Sequence, residues 1–146
     1  MNWTRMGAVA LAIAALSASS GPLNAEGKPQ GEEPGQSRFS IEETWARVAP
    51  EMGKNLPMAV DDKTTWLTVR NDGPVLVSTF RQNLPKEQIV AAKDEMERSA
   101  IENTCRGTQR GKELLDAGGV VRQVFYDQSD QLAVTIDVDS KSCSQN

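Results

Sequence analysis

The last apolar run of the chain constrains its fold more than any other feature. Leu132, Val134, Ile136 and Val138 alternate with Ala133, Thr135 and Asp137. Side chains on a strand point to opposite faces in turn, so strict period two marks a strand with one buried face. Such a strand needs neighbours in a sheet and a second layer to cover it. The run Val120 to Asp127 precedes it across Gln128-Ser129-Asp130, and Val120-Val121 and Phe125-Tyr126 make that run apolar on both faces. It reads as an interior strand. Thr64 to Arg70 and Val75 to Phe80 form a second pair around Asn71-Asp72-Gly73-Pro74, where Asp-Gly is a hairpin signal.

Helical spacing fills the gaps between these pairs. Ser40 and Glu43 have capping-box spacing, and Ile41, Trp45 and Val48 recur on one face of a short helix that Pro50 is expected to end. Asn83-Leu84-Pro85 opens the longest helix, with Ile89, Ala92, Met96 and Ala100 on one stripe and charged residues opposite. Cys105-Arg106-Gly107 is its expected end, Gly107 offering a left-handed cap. A shorter helix over Gly111 to Ala117 stops at Gly118-Gly119. The expected fold class is therefore α+β, with two β-hairpins forming a mainly antiparallel four-stranded sheet packed by a long amphipathic helix.

Residues 1–25 read as an address. Arg5 gives a short charged region, Met6 to Leu16 is almost wholly apolar, and Leu23-Asn24-Ala25 supplies a small residue for cleavage before Glu26. Charged, apolar, then small is the order of a secretory signal peptide, here a signal helix too short to span a bilayer. With the only cysteines at Cys105 and Cys143, no lipid-bearing cysteine adjoins the site, and no stable membrane anchor is expected after cleavage. Residues 26–37 carry five Gly or Pro and no large apolar side chain, the composition of a disordered leader. The expected organisation is signal 1–25, leader 26–37 and one α+β domain over 38–146. Localisation follows as periplasmic or secreted.

Two cysteines in an exported chain, one at a helix end and one just past the last strand, read as a Cys105–Cys143 disulfide. Closing a loop of about 39 residues stabilises by about 4 kcal/mol in the chain-entropy model. A reactive dithiol instead favours Cys-X-X-Cys at a helix N-terminus, and neither cysteine is so placed.

Catalytic and cofactor signals are sparse. The chain has no histidine, which excludes histidine triads, imidazole metal sites and imidazole proton relays. A net charge of −4 gives no electrostatic footprint for nucleic acid. Gly107, Gly111, Gly118 and Gly119 have neither Walker nor dinucleotide spacing. No cofactor is expected. Asp127 with Asp130, and Asp137 with Asp139, supply oxygens, but turn chemistry suits them better than the six to eight ligands of calcium. Asp61-Asp62 reads as loop, and Trp45 and Trp66 as core.

From Leu56-Pro57 onward the chain resembles small exported proteobacterial proteins of uncharacterised function. The resemblance rests on Val60-Asp61, Cys105, Leu114-Leu115-Asp116-Ala117-Gly118-Gly119-Val120, Phe125-Tyr126-Asp127 and Cys143. It implies an exported α+β module bridged by Cys105 and Cys143, and it carries no catalytic residues. Gln128-Ser129-Asp130 departs from the Asp-x-x-Gly turn expected of such relatives.

The leading functional expectation is an exported, non-catalytic protein that binds another envelope or secreted protein. Thr64 to Arg70 or Val75 to Phe80 would serve as edge strands for a partner strand. One alternative is a small carboxylate enzyme, with Asp61, Asp62, Asp127, Asp130, Asp137 and Asp139 converging beside Arg70, Arg81 or Arg122. The other is a module holding a small apolar ligand between helix and sheet, beside Met96 and Trp66.

Overall fold

The computed structural model describes residues 40–107 and 109–145. The signal helix, the leader and the cleavage site near Ala25 lie outside them. In chain order the elements are α1 (Ile41–Gly53), β1 (Met58–Ala59), β2 (Thr64–Asp72), β3 (Val75–Gln82), α2 (Lys86–Ala91), α3 (Lys93–Gly107), α4 (Gln109–Asp116), β4 (Val120–Tyr126), β5 (Leu132–Val138) and α5 (Ser140–Ser144). The sheet has five strands in the order β1-β2-β3-β4-β5. The α+β class is as expected, while the expected count of four strands is corrected by β1, a two-residue strand pairing Met58 with Trp66 and Ala59 with Thr65.

Both hairpins form. In β2–β3 the ladder runs to Asp72 opposite Val75, so the turn shrinks to Gly73-Pro74, with Gly73 at φ 55°. That left-handed angle is where glycine carries no steric cost. The hairpins join by pairing β3 with β4 in parallel, Val75 beside Val120 through Arg81 beside Tyr126. Parallel neighbours require a crossover connection, and α2, α3 and α4 supply it.

This order overturns the expected partner edge at Val75–Phe80 and leaves only the far part of the one at Thr64–Arg70. Residues 75–80 lie mid-sheet between β2 and β4, and residues 64–66 of β2 are shielded by β1. Among the described residues the free edges are β5 and the charged end of β2 beyond β1.

One face of the sheet carries the core. Trp66, Phe80 and Phe125 sit at matching register on β2, β3 and β4 and stack at centroid distances of 5.9 and 5.0 Å. Ile89, Met96, Ala100 and Leu115 from the crossover helices cover them, together with Val134, Ile136 and Val138 of β5. A second cluster holds Ile41, Trp45, Ala49, Leu76 and Leu114, packing α1 over the β2–β3 side. Trp45 and Trp66 are 1% and 4% exposed and belong to the core.

Four local expectations change. Helix α1 runs through Pro50 to Gly53. Ala46 and Pro50 are both exposed, so the carbonyl that proline deprives of a partner lies on the face open to water. Its Ser40 hydroxyl accepts from Glu43 N at 3.4 Å and donates to Glu42 Oε2 at 2.6 Å, so the carboxylate that reaches back to the cap residue is that of Glu42 and not of Glu43. The long amphipathic helix is divided at Ala92 (φ −90°, ψ 2°) into α2 and α3, both of which pack on β5. Gly107 has no positive φ; the left-handed exit is Gly118 at φ 97°. There Gly118 N donates to Leu115 O and Gly119 N to Leu114 O, both at 3.0 Å, a Schellman closure of α4.

Candidate functional site

The site is built on one stripe of α3. Met96 and Ala100 turn inward to the core. Arg98, Ile101, Glu102, Cys105 and Arg106 follow the spacing i, i+3, i+4, i+7, i+8, which puts them on a single helix face. With Lys112 of α4 and Cys143 of α5 they line an open groove of about 510 Å³.

Its floor is apolar. Ile101, Cys105 and Cys143 are half-buried against the main core. The Cys105–Cys143 disulfide, with S–S 2.01 Å and Cα atoms 5.5 Å apart, fastens α5 to the end of α3. The tail beyond Val138 is a helix in its own right. Asp139 caps α5 by accepting from Ser142 N at 2.9 Å, while Asp139 N donates to Ser142 Oγ at 3.3 Å. The Ser142 N–H, and then the Ser142 hydroxyl, which donates to Asp139 Oδ1 at 3.0 Å, hold the Asp139 carboxyl below its ordinary pKa.

The groove's rim is cationic. Arg106 pairs with Glu102 at 2.6 Å on the exposed surface. Arg98 donates only to the backbone oxygen of Asp94, at 3.4 Å. Among the described residues no carboxylate pairs with Arg98 or Lys112.

The six acids named from sequence do not converge; five serve their own stretch of backbone or a neighbouring arginine, and Asp62 is open to solvent. Asp61 accepts from Lys63 N and Thr64 N at 2.8 and 2.7 Å, and Asp62 is exposed. Asp127 is buried at 4% exposure and accepts from Ser129 N and Gln131 N, the turn chemistry expected of it. Asp130 takes φ 60°, the conformation a glycine would favour at that tip, and pairs with Arg81 at 3.1 Å. Asp137 takes a two-bond grip from Arg122, at 2.7 and 2.8 Å. That bonding raises the Arg122 pKa above its ordinary value. Arg70 lies 3.8 Å from Asp72. Each of the three arginines thus already faces an aspartate. Among the described residues no three His, Cys, Asp or Glu side chains gather to hold a metal.

The place expected for an apolar ligand is occupied by protein, since Met96 and Trp66 are 2% and 4% exposed within one packed cluster. Two features had no signal in the sequence. The groove joins residues from three helices whose approach is set by the crossover and the disulfide. Gln82 is fully buried with Oε1 unpartnered, its Nε2 reaching Thr64 Oγ1 at 3.5 Å.

No family model matches the sequence, and no curated protein matches it. Solved structures do share the fold. A protein of Pseudomonas aeruginosa described as a candidate secreted protein is similar at TM-score 0.65 and 18% identity, over 70% of this chain and 92% of that one. The pilotin of the Vibrio vulnificus type 2 secretion system is similar at TM-score 0.56 and 15% identity, over 70% and 91%. The type II secretion pilotin of Vibrio cholerae is similar at TM-score 0.53 and 20% identity, over 70% and 92%.

Proposed function

We propose that this is an exported, non-catalytic protein of the cell envelope that acts by binding another envelope or secreted protein. The observation that carries the reading is the shared fold, which spans about nine-tenths of two secretion-system pilotins and of a candidate secreted protein. The signal-like residues 1–25, the disulfide and the resemblance to small exported proteobacterial proteins support export. The groove over the disulfide supports binding, being a concave, half-apolar surface with charged groups at its rim. The dispersal of the six named carboxylates argues against the converging-carboxylate enzyme considered from the sequence.

The test is expression of the full chain in a proteobacterial host, followed by fractionation and intact mass. Mature protein in the periplasm or medium, beginning at Glu26 with no free thiol, supports export. Chemical crosslinking in the native host then yields a discrete adduct with an envelope protein. Uncleaved chain held in the cytoplasm, or no adduct under conditions that preserve weak complexes, overturns the reading.

A further inference from the structure

The rim of the groove has a charge that the rest of the molecule lacks. The chain carries 20 carboxylates against 16 lysines and arginines, yet three cations and one carboxylate line this cavity. Glu102 neutralises Arg106, which leaves Arg98 on α3 and Lys112 on α4 as cations without a carboxylate partner among the described residues. They rise from two helices over a floor of Ile101 and the disulfide. We propose that this groove is a docking site for an acidic, apolar peptide segment of the partner protein. Apolar side chains of the segment lie on Ile101 and the Cys105–Cys143 bridge, while its carboxylates pair with Arg98 and Lys112. The inference rests on the binding role proposed above and names the chemistry of the partner.

The charge arrangement sets the discrimination. A carboxylate brought to Arg98 or Lys112 meets a cation with no competing acid, whereas a lysine there meets like charge beside a partly desolvated floor. The peptide comes from a protein rather than a small metabolite because the groove is open and elongated along one helix face, from Arg98 to Arg106. The disulfide contributes rigidity: α5 has only five residues, and Cys143 fixes it as one wall. A wall held in place before binding lowers the ordering cost of association.

The test uses the mature, disulfide-intact protein labelled with ¹⁵N and two short blocked peptides, one of leucine and glutamate, the other of leucine and lysine. The glutamate peptide is expected to shift amides along residues 98–106, at Lys112 and at Cys143, with weakening in added salt. The lysine peptide is expected to leave them unmoved. Arg98→Glu with Lys112→Glu should weaken glutamate-peptide binding about tenfold and transfer preference to the lysine peptide. Both positions are exposed, and Arg98→Gln with Lys112→Gln serves as the milder pair if the reversal disturbs folding. Equal binding of the two peptides, or shifts confined to the free β5 edge, overturns the proposal. A photocrosslinker at Lys112 and another at Thr135 on β5, in the native host, separate this inference from the broader reading. Adducts at Lys112 whose linked segment is acidic, lost in the Arg98→Glu variant, support both. Adducts at Thr135 alone overturn the groove and leave the binding role standing. None at either position overturns both.

Discussion

Trp45 on α1 donates its indole N–H to the carbonyl oxygen of Pro74 at 2.9 Å, across 29 positions of sequence. The same oxygen accepts from Val120 N at 3.0 Å, where β4 begins. One carbonyl at the tip of the β2–β3 turn therefore joins the first helix, the hairpin and the start of the parallel pair. Trp45→Phe keeps most of the buried surface but removes one of the two bonds, and should cost about 1–2 kcal/mol. Trp45→Ala adds a cavity and should cost about 3–5 kcal/mol. Urea unfolding curves of the two variants give the comparison directly.

Replacing Cys105 and Cys143 with serine should cost roughly 4 kcal/mol, the chain-entropy value for a loop of this length. The loss acts on both states. The unfolded chain gains freedom, and α5 keeps only the Asp139–Ser142 cap and its packing against neighbouring helices. Limited proteolysis of the oxidised protein should spare the C-terminus, while the serine variant should be cut just after Val138. A thermal midpoint unchanged by the double substitution would contradict this account.

Two glycines in the same crossover should respond in opposite directions to alanine. A Cβ at Gly119 would lie 2.7 Å from the Leu114 carbonyl oxygen and 2.9 Å from Ile41 Cδ1, so α1 and α4 would have to separate. Gly119→Ala should cost about 1–3 kcal/mol. At Gly107 a Cβ meets nothing within 4 Å and the backbone angle is not left-handed, so Gly107→Ala should be neutral or stabilise by up to about 1 kcal/mol. Thermal melts of the pair check the contrast.

Acid should loosen α5 before the sheet. The Asp139 pKa is lowered, first by the backbone N–H of Ser142 and then by its hydroxyl. A carboxyl whose folded pKa lies below its unfolded value stabilises the fold above the unfolded pKa and loses that contribution as pH falls through the folded one. The cap is thus intact near neutrality and fails only at strongly acidic pH, with a small effect because the carboxyl is largely in water. Protection of the residue 140–144 amides from hydrogen exchange, measured against their intrinsic rates at each pH, should fall in acid for the native chain. Asp139→Ala should show the faster exchange already at neutral pH.

The chain's local patterns determined its elements. Period two over residues 132–138 marked the buried face of β5, and Val134, Ile136 and Val138 are buried, while Leu132, the first of the alternating set, is exposed. Asp-Gly located the first turn, Gly118-Gly119 the exit from α4, and the two cysteines a helix end and a tail that proved to lie 5.5 Å apart. These are short-range properties, decided by backbone sterics, alternation and residue type.

Tertiary structure alone decided the order of the strands. Alternation tells a strand which face to bury but not which neighbour to take, because the same apolar face fits against either edge of a growing sheet. Placing β3 beside β4 in parallel moved residues 75–80 from an expected edge to the middle, and left β5 as a free edge. The same crossover brought Arg98, Lys112 and the disulfide around one groove, although no segment of sequence holds all three. The six carboxylates were dispersed for the same reason. All but the exposed Asp62 found a partner locally or across one strand pair, and convergence at a single centre would have required a fold that turned their loops toward one another.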